Sequence, residues 1–158
     1  MIKVVQLKRL KSISLDEAFD YIVDFTNLPN WDLNALRSQQ VDGTGITKGS
    51  RYQIDYLFLG KKLSLISTIE ELKPPTHAFL RTSSKSFDVK DIIELTSASK
   101  TDTTIRYTVE LSFCGKLRLL EPIVKPFLAR STEKALTGLQ AAITSHKTLQ
   151  VGKLRASE

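Results

Sequence analysis

Asp91 is the side chain with the most chemical promise in this sequence. It stands between Val89 and Ile93 in the run FDVKDIIEL, on the parity those apolar residues share. A carboxylate on a packed sheet face is costly unless it is paired or wetted by cavity water, and its pKa rises. An acid raised in this way can act as a general acid or base toward a bound carbonyl compound. The alternative is a bulge or strand end that turns Asp91 to solvent. Tyr52, Tyr56, Tyr107 and Ser67 fall on the same kind of face and offer hydroxyls to a ligand, with Tyr107 a second candidate proton donor; backbone partners for these groups are the other reading. Trp31, the only Trp, sits in the turn-prone stretch NLPNWDLN. Its ring either lines the entrance of a site and touches ligand, or locks short helices to the edge of a sheet.

Other chemistries find little support. His77 opens a strand after PPT and His146 lies at a helix end, both expected at the surface. Cys114, the single Cys, precludes an internal disulfide, fits a reducing, cytoplasmic setting, and carries no sign of activation. No His/Cys/Asp/Glu cluster has metal spacing, so no metal is expected. The Gly43, Gly45 and Gly49 series lacks the Gly-Lys-Ser/Thr ending of a phosphate loop and runs into a strand. No cofactor is expected. The formal charge of +6 is spread over scattered sites such as Lys8, Arg9, Lys61, Lys62, Lys116 and Arg118. This predicts a solvated basic surface, with weak contact to anionic surfaces and no specific nucleic acid. No stretch approaches the roughly 20 apolar residues of a membrane-spanning helix.

The elements that must hold these residues follow from periodicity. Ile2 to about Lys11 reads as a strand. Ser14 and Glu17 have capping-box spacing ahead of Ala18, Phe19, Ile22 and Val23, predicting a helix of about three turns. A second short helical piece is expected around the Trp31 stretch. From Arg37 the period becomes two, through Tyr52, Ile54, Tyr56 and Phe58, then Leu63, Leu65, Ser67 and Ile69. TTIRYTVELSF alternates most cleanly, with Ile105, Tyr107, Val109, Leu111 and Phe113 on one face. The last third returns to a helical stripe through Phe127, Leu128 and Leu139, a helix of about 25 residues with a kink or split at Pro126. The fold class is therefore α+β: a seven-stranded antiparallel sheet, two short N-terminal helices and one long C-terminal helix. We assign residues 1–148 to one domain and 149–158 to a frayed tail.

A lone helix, about 10–12 Å wide, does not cover a flat sheet about 30 Å wide. A sheet curled around it leaves a space that need not fill, and a lined cavity with a few polar groups results.

These residues carry a resemblance. SLDEAFDYIVDF with NLPNWD, then GSRY at a strand start, IEELKPPTHAFLRT, TTIRYTVEL and the GLQAAI helix end resemble, in order and spacing, the START-like (SRPBCC, polyketide cyclase/dehydrase) superfamily. The likeness spans about residues 2–147. It implies the helix-grip fold, a curved sheet gripping the last helix around an apolar cavity, and a lipid-, isoprenoid- or polyketide-like ligand. The superfamily shares no universal catalytic set, so no mechanism transfers with the fold.

The leading expectation is thus a non-catalytic binder of a small apolar molecule. The ligand-facing residues expected are Trp31, Tyr52, Ile54, Tyr56, Phe58, Leu65, Ser67, Asp91, Ile93, Tyr107, Val109, Phe127, Leu128 and Leu139. A cyclase or dehydratase using Asp91 or Tyr107 is the first alternative, and an interaction module with a basic surface the second. The chain is expected to be a monomer or homodimer.

Overall fold

A computed structural model describes residues 1–156. The chain runs β1 (Ile2–Leu10), α1 (Leu15–Val23), a 3-10 segment (Phe25–Asn30), β2 (Ala35–Gln40), β3 (Arg51–Phe58), β4 (Lys61–Lys73), β5 (His77–Ser83), β6 (Phe87–Ser97), β7 (Thr103–Phe113), a second 3-10 segment (Gly115–Leu120) and α2 (Glu121–Ala156). The seven strands form one open antiparallel sheet in the order β1-β7-β6-β5-β4-β3-β2. The sheet curves around α2 in the helix-grip arrangement, with β1 and β2 as its edges.

Local chemistry accounts for the main turns. Ser14 accepts from the Glu17 N–H while the Glu17 carboxylate accepts from the Ser14 N–H, so the capping box closes in both directions. The β3–β4 hairpin turns on Leu59 and Gly60, with φ of 48° and 81°. Two successive positive φ values match the right-handed twist of the flanking strands, and Gly60 meets that demand without a side-chain penalty. Asp102 accepts from the Ser12 N–H (2.9 Å) and from Arg9 (2.9 Å), pinning the turn between β1 and α1. Gln140 of α2 grips the backbone of Lys11 on both its N–H (2.7 Å) and its carbonyl (3.1 Å). Lys147 reaches Glu17 at 3.1 Å. The later half of α2 is thereby fastened to the β1–α1 turn and to the first turn of α1.

α2 differs from the expected helix. It extends over 36 residues, against about 25 anticipated, and Pro126 lies inside it instead of dividing it. The leading piece is split off earlier, at Glu121, where the 3-10 segment ends. Of the tail assigned to residues 149–158, residues 149–156 are exposed helix, and 157 and 158 lie outside the described residues. Nothing in that stretch is a strong stop except Gly152, which a helix tolerates at about 1 kcal/mol.

The core forms two groups. One joins α1, the first 3-10 segment and the later half of α2 to the middle of the sheet, through Phe19, Ile22, Tyr52, Ile69, Leu80, Ile93, Ile105 and Leu139. The other joins Ile2, Val4, Leu111, Phe113 and Val124. Only Val89 and Leu128 pack against both among the described residues. The two groups do not merge, and the gap between them is the site.

Candidate functional site: an apolar chamber with an acidic floor

The gap is a cavity of about 250 Å³ between the curved sheet, the first 3-10 segment and the first half of α2. Five strands line it, three of them as successive steps inward: Phe58, Tyr56 and Ile54 on β3; Phe87, Val89 and Asp91 on β6; Phe113, Leu111, Val109 and Tyr107 on β7; Thr82 of β5 joins them. Leu63 and Leu65 of β4 pair opposite Tyr56 and Ile54. α2 contributes Leu128, Ser131, Thr132, Ala135 and Leu136. Ser86 and Leu117 are exposed and line the outer end, which places the mouth between the β5–β6 turn and the second 3-10 segment. Phe25, Leu28 and Trp31 are all buried and close the inner end.

Polar groups gather at that inner end. Tyr107 donates its hydroxyl to Asp91 Oδ1 at 3.0 Å. Asp91 pairs with Val109 in an unbroken β6–β7 register, so no bulge turns it to solvent. Tyr107 is its diagonal neighbour on the same face, within reach of a long side chain. Tyr56 donates to Asp32 Oδ2 at 3.2 Å, and Asp32 Oδ1 accepts from the Asn34 N–H at 3.0 Å. Asp32 is held there by its own N–H on the Leu28 carbonyl (2.9 Å), the end of the 3-10 segment. The ring of Trp31 stands edge-on to Tyr107, centroids 5.9 Å apart. Its indole N–H is buried without a hydrogen-bond partner.

Burial pushes the Asp91 carboxyl up to about 7, and the charge of Asp32 adds to the rise against the opposing hydrogen bond from Tyr107. Asp32 is also raised by burial, with its hydrogen bonds from Asn34 and Tyr56 opposing. Burial and then the neighbouring carboxylates raise Tyr56 and Tyr107 well above the ordinary tyrosine range. The arrangement therefore holds one acid that changes protonation near neutral pH, beside phenols that remain protonated. Among the described residues, no Lys, Arg or His lines the cavity. Among the described residues, no group of three or more His, Cys, Asp or Glu could hold a metal ion.

Of the residues singled out in the sequence, Trp31, Ile54, Tyr56, Phe58, Leu65, Asp91, Tyr107, Val109 and Leu128 line this cavity. Tyr52, Ser67, Ile93 and Leu139 do not. All four are fully buried in packed core. Tyr52 and Ser67 pair directly across β3 and β4, one step deeper than Ile54 and Leu65, and Ile93 is one step deeper than Asp91. They form the layer beneath the floor. The hydroxyl of Tyr52 has no partner there, and burial pushes its pKa up to about 12. Phe127 points out of the chamber to an external groove shared with Leu33 and Ile123, with its ring edge-on to Phe58 at 5.7 Å. Trp31 is 3% exposed at the closed end and so is not part of the entrance. Both histidines and Cys114 lie outside the cavity wall.

Residues 1–144 match the family described as polyketide cyclase / dehydrase and lipid transport. The chain belongs to this family. No curated protein matches the sequence. Solved structures share its fold at low identity. A Thermus thermophilus protein is 14% identical, with 91% of this chain and 98% of that one covered at a TM-score of 0.76. A START superfamily protein from Mycobacterium smegmatis is 12% identical over 90% of this chain and 97% of its own, also at 0.76. The Zhui aromatase/cyclase of a Streptomyces species is 8% identical over 90% and 93%, at 0.77. Membership in the polyketide cyclase / dehydrase and lipid transport family agrees with a hollow helix-grip domain, and no helix among the described residues is long and apolar enough to cross a membrane.

Sequence reasoning passed over Asp32, although it adjoins Trp31 in the stretch already noted. Its signal was Asp32 itself in a turn-prone stretch, since an Asp side chain accepts from the backbone N–H two residues on, here that of Asn34, which fixes the carboxylate. The α2 face with Ser131, Thr132 and Ala135 was also passed over. Those small side chains leave the hollow that Leu or Phe would fill.

Proposed function

We propose that the protein binds one small, mostly apolar molecule inside the chamber, with its polar end against Asp32, Tyr56, Asp91 and Tyr107. A single observation carries this reading: a cavity of about 250 Å³, lined mostly by apolar side chains, with two carboxylates and two phenols toward its closed end. Well-packed interiors leave few voids larger than a water, so a hollow of this size lined by Phe, Leu, Ile and Val is the expected form of a ligand site. The size suits a compact guest, since drug-sized sites run from roughly 300 Å³ upward. Apolar burial supplies the affinity and the polar floor sets the orientation.

A second reading has its own observation. Asp91 titrates near neutral pH and shares a hydrogen bond with Tyr107. Such an acid both takes and returns a proton at the pH where it works, as enolisation or dehydration next to a ligand carbonyl requires. The fold likeness to an aromatase/cyclase is compatible with this cyclase- or dehydratase-type activity and does not by itself establish it.

Native mass spectrometry of protein purified from its source cells tests the binding reading. The expected result is a co-purifying apolar mass, released by organic solvent at one equivalent per chain. A bare chain that also fails to take up any apolar probe saturably would overturn it. If the released compound is converted on incubation with fresh protein, and not with Asp91→Asn, the catalytic reading gains.

A further inference from the structure

The floor of the chamber contains two carboxylates and no cation. Asp32 and Asp91 both line the cavity, and among the described residues no Lys, Arg or His shares its wall. Each carboxylate receives one phenol hydroxyl, from Tyr56 at 3.2 Å and from Tyr107 at 3.0 Å. Neutral donors offset only part of the cost of holding anions in a low-dielectric pocket. α2 brings Leu128, Ser131, Thr132 and Ala135 to the cavity and no charged side chain. Three aromatic rings, Trp31, Tyr56 and Tyr107, surround the same end. Aromatic rings near carboxylates are surroundings that favour a substituted ammonium. The indole N–H of Trp31, on this wall in a residue that is 3% exposed, has no partner among the described residues; it can donate to an oxygen of the guest and takes no part in holding the ammonium.

Resting on the binding reading above, we infer that the chamber selects apolar molecules bearing a basic nitrogen, which enters first and sits as an ammonium between Asp32 and Asp91, and that it rejects apolar acids. The nitrogen replaces the missing counter-charge, and the rest of the molecule fills the Phe, Leu and Val walls toward the mouth. The protein as a whole carries a formal charge of +6, so its average field repels a cationic ligand. A preference for amines therefore has to come from the chamber.

Octylamine, octanol and octanoate separate the possibilities, since they share one apolar tail and differ in head charge. We expect calorimetric titration at pH 8 to give octylamine the tightest binding, ahead of octanol by about tenfold or more, equivalent to about 1.4 kcal/mol. Octanoate is expected to bind weakest. The amine advantage should persist in high salt, because a buried pair is poorly screened, and should shrink at pH 5.5 as Asp91 takes up a proton. In Asp91→Asn and in Asp32→Asn the octylamine affinity should fall by about tenfold relative to that for octanol. Octanol equal to or tighter than octylamine in the unmodified protein overturns the inference while leaving the binding reading intact. An amine advantage that survives in both variants overturns it too. If none of the three binds, the binding reading itself fails. Should either variant fold poorly by circular dichroism, the head-group order and its pH and salt dependence in the unmodified protein decide the matter.

Discussion

Asp91→Asn is expected to stabilise the protein at pH 8 and to leave its stability unchanged near pH 4. In the folded chain burial raises the Asp91 carboxyl from 3.8 to about 7. As pH rises through this window the unfolded chain ionises first, so the group withdraws stability between about pH 4 and pH 7 and holds a constant penalty above. At 1.36 kcal/mol per pH unit the full penalty is about 4 kcal/mol. Water in the cavity and relaxation around the ion reduce it, so about 2–4 kcal/mol is the range to look for. Asparagine keeps the oxygen that accepts the Tyr107 hydroxyl (3.0 Å) and sheds the charge. Urea unfolding of both proteins at pH 4, 6 and 8 isolates the difference, because contributions from Glu17, Asp88 and Asp102, whose pKa values are lowered, cancel between them. The curves should coincide at pH 4 and separate steadily to pH 8, with the variant more stable. A variant that is less stable at pH 8 than at pH 4, relative to the unmodified protein, would refute the claim that Asp91 is an enclosed, poorly paired carboxylate.

Three further outcomes follow from other parts of the structure. Val109→Phe puts a ring into the hollow, so apolar ligands should bind at least about tenfold more weakly in calorimetry while the melting temperature stays the same or rises, since added apolar contact contributes about 0.8 kcal/mol per buried methylene. Gly138→Leu drives a side chain toward the Trp31 carbonyl, which an added Cβ would meet at 3.1 Å; a loss of about 1–3 kcal/mol and a changed Trp emission spectrum are expected. Asp102→Ala should lower the melting temperature at neutral pH by freeing the Ser12 N–H and Arg9, and the loss should fade in strong acid, because the Asp102 carboxyl is held below its ordinary value and its contribution disappears as pH falls through that depressed value.

Much of the architecture was readable because strand parity and helix capping are local. β7 alternates in sequence and in burial, and Ser14 with Glu17 closes the capping box anticipated for α1. Parity was less informative about the site. It names the face a residue shares, whereas the depth at which the face stops packing and begins to line a hollow depends on sheet curvature and on what α2 presents opposite. Ile54 and Tyr52 share one face, yet only Ile54 meets the cavity. Asp91 and Ile93 divide in the same way. For α2 the helical stripe identified the buried residue Leu139 and the cavity residue Leu128, but did not mark the small side chains between them, Ser131, Thr132 and Ala135, as those that open the hollow. Phe127 follows Pro126 on a face turned toward Leu33, which no periodicity argument could place without the fold of the Trp31 stretch. Asp32 was hidden because its partner Tyr56 lies 24 residues away.

The central claim is that the interior is hollow and admits a guest between β3, β6, β7 and α2. Methyl-resolved NMR during titration with octanol addresses it most directly. The account predicts saturable shifts in the methyl groups of Ile54, Leu65, Val109 and Leu128, together with contacts from octanol protons to them, while Ile22 and Ile143 in the packed core stay still. Shifts confined to surface methyl groups such as Ile123 or Leu33, or none at saturating octanol, would contradict it.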